Sequence, residues 1–157
     1  MRVRDLMTKE TSFCGPDTSL AAAGDCMRKN EVGFLPVVGE GGNVIGVITD
    51  RDISIALGTE GRRPSVRMVK DLMAAKLFTC TPEEDVHCAL KTLRAQRIRR
   101  LPVVDREGAL LGILSIDDVA LKAREPASKN DVSYKDVVDT YQAICGRVSS
   151  RGRCAAA

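Results

Sequence analysis

Short apolar runs separated by polar turns recur along the chain, and this pattern predicts a mixed α/β fold. Two pairs of runs, 34–38 with 44–48 and 101–104 with 110–114, are each joined by a turn that contains glycine and charged residues. Each pair is typical of a β-hairpin. Because the runs are almost continuously apolar, we expect both faces of each sheet to be covered. With a short strand ahead of each hairpin, we expect two small three-stranded sheets, each packed by two helices.

A proline followed by polar residues opens a helical pattern before each hairpin. In the first pattern, Pro16 precedes Asp17 and Thr18, which are both candidate N-terminal caps. In the second, Pro82 precedes the acidic residues 83–85, which complement the helix dipole. Another helix is expected after each hairpin.

A C-terminal helix is predicted over residues 133–145, with Ser133 as its cap. Its apolar stripe consists of Val137, Val138, Tyr141 and Ile144. Such a stripe must pack either on this chain or on a dimer partner. The polar stretches 58–64 and 124–130 are expected to be linkers, and the tail 147–157 is expected to be disordered.

The chain is a tandem duplication, because the segment 3–53 reappears over 69–119 at a constant offset of 66 positions. The identical pairs include Val3/Val69, Asp5/Asp71, Leu35/Leu101, Pro36/Pro102, Gly46/Gly112 and Asp52/Asp118. A copy of about 50 residues is near the lower limit for an independent core, so the copies should form one module with a cleft between them. We expect repeat one at 1–60, repeat two at 61–122, and the linker, helix and tail at 123–157.

Bulk composition excludes several classes of protein. Apolar residues make up 44% and charged residues 29%, which is ordinary for a folded soluble chain. A net charge of +3, 3% aromatic residues and no tryptophan argue against nucleic-acid binding. No apolar run approaches the length of a membrane span, and the first residues lead directly into the repeat, so we expect no signal peptide and a cytoplasmic protein.

The six cysteines form no C-x-x-C pair, and His87 is the single histidine, so no metal site is expected. The cysteines are interpreted as small buried residues. His87 is expected on the surface of a helix with no evident partner, and nothing in the sequence resembles a nucleophile–base pair. We therefore do not expect an enzyme.

The two hairpins and the residues that follow them resemble the cystathionine-β-synthase (CBS) domain family. The resemblance is carried by Leu35–Val38 with Gly46–Asp52, and by Leu101–Val104 with Gly112–Asp118. It covers both repeats, about residues 1 to 122. It implies a regulatory CBS domain pair that binds AMP, ADP, ATP, S-adenosylmethionine or NAD between the repeats, pairs into a homodimer and signals to a protein partner. AMP is the first choice of ligand, and no cofactor is required.

The motif also has a physical interpretation. Gly46 and Gly112 allow a ligand or another backbone to approach the strand closely. Thr49 and Ser115 stand at a predicted helix N-terminus, where free N–H groups favour a phosphate. An aspartate follows each of them by three residues, at Asp52 and Asp118, and is suited to hold ribose hydroxyls. The alternative is that the hydroxyl and the carboxylate only cap the helix.

The two copies differ in charge. Copy two carries Arg97–Arg100 ahead of its central strand, whereas copy one carries Glu31–Phe34 and offers Arg51 further on. The resemblance implies that Arg99 and Arg100 contact phosphate, and that Leu77, Phe78 and Ile98 line an adenine slot whose counterpart in copy one is Thr11, Ser12 and Val32. Copy two should therefore hold the tighter site, with Asp118 more important than Asp52. The full candidate set is Thr11, Ser12, Val32, Thr49, Arg51, Asp52, Leu77, Phe78, Ile98, Arg99, Arg100, Ser115, Asp117 and Asp118.

Two other functions remain open from the sequence. One is a dimeric interaction scaffold with empty pockets. The other is a redox or metal sensor, suggested by Cys14 and Cys80 at equivalent positions of the two copies. Asp50, Asp52, Asp117 and Asp118 could in addition hold Mg²⁺ beside a polyphosphate.

Overall fold

Each repeat is built around one β-hairpin, as predicted. A computed structural model describes residues 1–60, 66–74, 76–125 and 131–146. In copy one the order is α1 (Leu20–Lys29), β1 (Phe34–Val38), β2 (Val44–Thr49) and α2 (Asp50–Glu60). In copy two it is α3 (Val86–Gln96), β3 (Arg100–Val104), β4 (Leu110–Ser115) and α4 (Ile116–Lys122), and α5 (Tyr134–Cys145) follows. A 3₁₀ helix opens each copy, at Val3–Asp5 and Val69–Asp71.

Both hairpins are antiparallel and have the same register, with an irregularity between Val37 and Val38 and again between Val103 and Val104. Their turns need glycine, because Gly42 and Gly108 have φ angles of 81° and 89°. The regular sheets are two-stranded. The expected third strand is reduced to one parallel bridge per copy, formed by Cys14 and by Cys80.

The sheets are less covered than the apolar runs suggested. Ile45 and Leu111, at equivalent positions of β2 and β4, are 42% and 39% exposed. The prediction that both faces of each sheet are fully covered is therefore wrong at these positions. Alternate residues of β2 and β4 are buried, whereas β1 and β3 are buried at almost every position. Each sheet is therefore covered on both faces along its first strand and is partly exposed along its second.

The helix before the first hairpin begins later than its sequence suggested. Ser19, rather than Asp17 or Thr18, caps α1, and its hydroxyl accepts a hydrogen bond from the Ala22 N–H at 3.2 Å. The preceding residues are held out of the helix by the other copy, because the Thr18 carbonyl accepts from the Val69 N–H at 2.8 Å. In copy two the acidic stretch ends in Asp85, which caps α3.

The expected linker at 58–64 begins inside a helix, since α2 continues through Gly58 to Glu60. Residues 61–65 lie outside the described part of the chain, as does the tail 147–157. No helix among the described residues is both long and apolar enough to cross a membrane.

Each copy contributes its opening segment to the core of the other. Val3 is fully buried in the cluster of copy-two residues, and Val69 is fully buried in that of copy one. Backbone hydrogen bonds fix the exchange, from the Val3 N–H to the Glu84 carbonyl at 3.0 Å and from the Val69 N–H to the Thr18 carbonyl. The sequence boundary between the repeats is therefore not a boundary between two cores, and the pair forms one interlocked unit.

The C-terminal helix packs on its own chain. Val137, Tyr141 and Ile144 lie against the copy-two core, on α3 and α4, whereas Val138 faces solvent. Ser133 caps the helix as predicted, in a reciprocal pair with Asp136. Copy one has no helix equivalent to α5 among the described residues.

The two strand glycines allow a matched test of the interlocking. A Cβ added at Gly112 would lie 2.4 Å from the Thr8 backbone oxygen, whereas one at Gly46 would meet the Met73 side chain, with Sδ at 2.9 Å. We expect Gly112→Ala to lower the free energy of unfolding by about 2–3 kcal/mol and Gly46→Ala by about 1 kcal/mol or less, because a side chain can move aside and a paired backbone cannot. Urea denaturation of both variants measures this, and equal losses would contradict it.

Candidate functional site

Most of the predicted site residues line two clefts between the copies. The larger, which we call the basic cleft, has a volume of about 630 Å³, within the range of ligand sites. It is lined by Gly33, Phe34, Val47, Thr49, Asp50, Arg51, Asp52, Ala74, Lys76, Phe78, Arg97, Ile98, Arg99, Arg100 and Pro102. The smaller, which we call the small cleft, has about 270 Å³ and is lined by Thr8, Glu10, Thr11, Ser12, Asn30, Val32, Phe34, Arg100, Ile113, Ser115 and Asp118.

Each cleft combines the slot of one copy with the hydroxyl–carboxylate turn of the other. Phe78 and Ile98 of copy two share the basic cleft with Thr49 and Asp52 of copy one. The small cleft has the converse pairing, with Thr11, Ser12 and Val32 of copy one beside Ser115 and Asp118 of copy two. The sequence interpretation, which joined the copy-two slot to Asp118, is corrected: the carboxylate beside that slot is Asp52.

The exchanged opening segments explain this crossing. After its 3₁₀ helix, each segment runs along the second strand of the other copy: Thr8 bridges Ile113, and the Ala74 N–H donates to the Val47 carbonyl at 3.0 Å. The slot residues that follow are thereby carried to the turn at the end of that strand. Gly112 is needed for the approach of the Thr8 backbone, so this glycine serves the contact between the copies.

The hydroxyl and carboxylate of each turn form a reciprocal cap. Asp52 Oδ2 accepts from the Thr49 N–H at 2.9 Å and from its hydroxyl at 2.7 Å, and the Asp52 N–H donates to Thr49 Oγ1 at 3.2 Å. Ser115 and Asp118 repeat the arrangement at 2.8, 2.6 and 3.0 Å. The capping alternative is thus confirmed in both copies. Because the cap uses Oδ2, it fixes each carboxylate on the wall of its cleft and leaves Oδ1 as a further acceptor. In copy two, Asp118 Oδ1 lies 3.5 Å from the Thr8 hydroxyl.

Charge separates the two clefts more sharply than the sequence suggested. The basic cleft is lined by five basic residues, Arg51, Lys76, Arg97, Arg99 and Arg100, and by two acidic ones, Asp50 and Asp52. The sequence suggested Arg51 as a basic residue for the site of copy one, but it lies in the same cleft as the copy-two arginines. The small cleft has Arg100 against Glu10 and Asp118. A phosphate is favoured in the basic cleft, where guanidinium groups can bind it with charge-assisted hydrogen bonds.

Two predicted site residues lie elsewhere. Leu77 lines neither cleft. Asp117 is exposed on α4, where its carboxylate accepts a hydrogen bond from the Tyr141 hydroxyl and lies 4.0 Å from the Arg100 guanidinium. Asp117 is the repeat equivalent of Arg51, but α5 is present only beside copy two and supplies Asp117 with a partner outside the cleft.

Sequence reasoning missed Lys76 and Arg97 in the basic cleft. The Lys76 ammonium lies 4.9 Å from the centroid of the Phe78 ring, a cation–π distance. The signal for Lys76 was its position directly before the predicted slot. Arg97 ends α3 in the left-handed conformation, with φ of 54°, which turns the chain toward the cleft.

The cysteines and His87 differ in part from expectation. Cys14 and Cys80 are buried as expected, and burial raises the pKa of their thiols to about 11 and about 12. Cys88 and Cys145 are exposed, which corrects the interpretation of the cysteines as uniformly buried. His87 has partners after all, because Nδ1 lies 2.9 Å from Asp85 and Nε2 lies 3.8 Å from Asp136.

The part of the chain that the structure describes contains no cluster of three or more histidine, cysteine or acidic side chains arranged to hold a metal ion. The metal-sensor alternative therefore has no candidate site within that part.

The fold and the crossed clefts define a tandem CBS domain pair. The profile of the CBS domain matches residues 3–58 and 69–125, and the chain belongs to this family. Among its relatives, the CBS domain-containing protein YhcV of Bacillus subtilis is 34% identical over 122 residues, which cover 76% of this chain and 83% of YhcV. The chain spans only 27% of another relative, the inosine-5'-monophosphate dehydrogenase of Methanocaldococcus jannaschii, at 30% identity over 142 residues and 90% of this chain.

Solved structures of CBS proteins with bound ligands have the same fold. The CBS domain pair of protein MJ0100, in complex with 5'-methylthioadenosine and S-adenosyl-L-methionine, has a TM-score of 0.70 and 25% identity over 77% of this chain and 94% of that one. CBSX2 in complex with AMP has a TM-score of 0.66 and 28% identity over 76% of this chain and 93% of that one.

The difference between buried and exposed thiols can be tested with iodoacetamide at pH 8. We expect Cys88 and Cys145 to be alkylated in the folded protein, because they are exposed. Cys14 and Cys80 should react only after unfolding, because burial raises the pKa of their thiols far above the pH used. Peptide mapping by mass spectrometry distinguishes the sites, and rapid labelling of Cys80 in the native protein would contradict the buried environment.

Proposed function

We propose that this chain is a regulatory module, rather than an enzyme, that binds an adenine nucleotide in the basic cleft. The observation that carries the proposal is the convergence of five basic residues, an apolar slot and a fixed carboxylate in one cleft of about 630 Å³. The solved CBS relatives with AMP and with S-adenosylmethionine support an adenosine-containing ligand.

Each part of a nucleotide has a matching wall in this cleft. The adenine ring fits between Phe78 and Ile98, and the ribose hydroxyls fit Oδ1 of Asp52. The phosphate is placed toward Arg51, Arg99 and Arg100, whose planar guanidinium groups match its geometry. The excess of basic residues favours AMP, ADP, ATP or NAD over S-adenosylmethionine, whose sulfonium group is positively charged. AMP is our first choice because one phosphate and one ribose account for these groups.

The small cleft is proposed as a second and weaker site for the same class of ligand. Its adenine slot is more polar, because Ser12 stands at the position equivalent to Phe78 and Thr11 lies beside it. Arg100 is its only basic lining residue among those described, so it offers a phosphate less charge. The basic cleft, which contains the copy-two slot, should therefore bind the ligand more tightly than the small cleft. The carboxylate of the tighter site is Asp52 rather than Asp118.

The signal follows from the interlocked cores. A ligand that touches both copies stabilises one relative arrangement of them, and this population shift can be read by a protein partner. We propose a cytoplasmic homodimer as the working form. The interaction-scaffold alternative would require both clefts to stay empty.

The equivalent aspartates offer a matched test of the site assignment. We expect Asp52→Asn to weaken AMP binding about tenfold, because a charged acceptor for the ribose is lost while the amide oxygen can still cap Thr49. Asp118→Asn makes the same change in the small cleft and should alter the Kd of the tighter site less than twofold. Isothermal titration calorimetry measures both. A larger loss from Asp118→Asn would refute the assignment of the tighter site to the basic cleft.

A thermal-shift screen separates the sensor from the scaffold. AMP, ADP, ATP, NAD and S-adenosylmethionine are compared at equal concentration, and the nucleotides should raise the melting temperature. A ligand present at 100 times its Kd adds about 2.7 kcal/mol to the free energy of unfolding. A flat response to all five would favour the scaffold, and a response to S-adenosylmethionine alone would contradict the charge argument.

A further inference from the structure

The helix α5 is attached to the module at two places, and one of them leads to the basic cleft. On α3, Arg94 Nε donates to the buried Thr140 hydroxyl at 2.7 Å, and Arg94 Nη2 donates to the Asp136 carbonyl at 3.3 Å. On α4, the Tyr141 hydroxyl donates to Asp117 Oδ1. The first attachment is structural, because it joins two helix faces away from the clefts. The second joins α5 to a residue beside the ligand site.

Asp117 connects α5 to the cleft arginines. Its Oδ2 lies 4.0 Å from Nη2 of Arg100, which lines both clefts. The chain of contacts is therefore Arg100, Asp117 and Tyr141. The hydrogen bond to Asp117 raises the pKa of Tyr141, and the charge of Arg99 opposes this effect.

The ion pair in this chain is the weaker of its two links. The Arg100 and Asp117 side chains are 36% and 57% exposed, and a solvent-exposed pair at 4.0 Å contributes little. A phosphate in the cleft offers Arg100 a stronger, charge-assisted partner. When Arg100 turns to the phosphate, the Asp117 carboxylate loses the nearby guanidinium that partly neutralises its negative charge. Its carboxylate then becomes a better acceptor for the Tyr141 hydroxyl.

We propose that α5 is the element that reports occupancy of the basic cleft, and that phosphate binding by Arg100 tightens the Tyr141–Asp117 contact that holds α5 on α4. This inference rests on the proposed function, since it needs a phosphate-bearing ligand in the cleft. It gives Tyr141 a positioning role without any contact to the ligand. The coupling is reciprocal, so loss of the α5 contact must weaken ligand binding by the factor by which the ligand strengthens the contact.

Tyr141→Phe tests the coupling, with Tyr134→Phe as its matched control. The chain has two tyrosines, both in α5, and Tyr134 is 56% exposed at the other end of the helix. With AMP as the probe and calorimetry as the readout, we expect Tyr141→Phe to raise the Kd about two- to fivefold and Tyr134→Phe to leave it unchanged. In an Asp117→Ala background, Tyr141→Phe should have no further effect. An unchanged Kd in Tyr141→Phe, or the same increase without Asp117, would overturn the proposal.

Hydrogen exchange of the α5 amides gives a second readout. Saturating AMP should slow exchange over 134–145 in the wild-type chain and in Tyr134→Phe, but not in Tyr141→Phe. Exchange that is unchanged or faster in the wild-type chain would overturn the proposed tightening. If the wild-type chain binds AMP and only the α5 effects are missing, the proposed function stands and this inference fails. If the wild-type chain binds none of the nucleotides, both fail.

Discussion

The exchange of opening segments between the two copies is the constraint on which the rest of the structure depends. Val3 completes the core of copy two and Val69 completes that of copy one, so neither core is whole without the other repeat. A repeat of this length is near the lower limit for an independent core. The exchange solves that problem, and it also directs the chain after each 3₁₀ helix along the far copy's second strand.

The composition of the clefts follows from that path. Because each slot is carried across to the other copy, Phe78 meets the turn of Asp52 and Ser12 meets that of Asp118. A ligand in either cleft must therefore touch both copies. For this reason we propose that ligand occupancy and the relative arrangement of the copies are coupled.

The hydroxyl–carboxylate turns cap two helices, and the proposed function gives the same residues a role in ligand recognition. Oδ2 of each aspartate accepts the hydrogen bonds of the cap, which fixes the side chain. Oδ1 is thereby held in one position as a further acceptor. The choice between capping and ligand binding is therefore not exclusive. A preorganised acceptor loses less side-chain entropy when a ligand arrives. In the proposed link from Arg100 through Asp117 to Tyr141, Asp117 likewise combines a structural contact with a connection to the ligand site. Among the described residues, only copy two has a helix such as α5.

The sequence by itself determined the duplication, the hairpins, the family and the residue types of the site, because these depend on local pattern and on residues at fixed spacing. Pro16 and Pro82 indicated the two helices, and Ser133 indicated the cap of α5. Tertiary structure decided where α1 begins, because pairing of Thr18 with Val69 holds Ser19 in the cap position. It also decided that Asp52 rather than Asp118 lines the cleft that contains the copy-two slot, and that Asp117 of α4 contacts Tyr141 of α5 instead of lining a cleft. A repeat states which positions are equivalent, but the exchange of segments between equivalent positions is a long-range contact that no local pattern records.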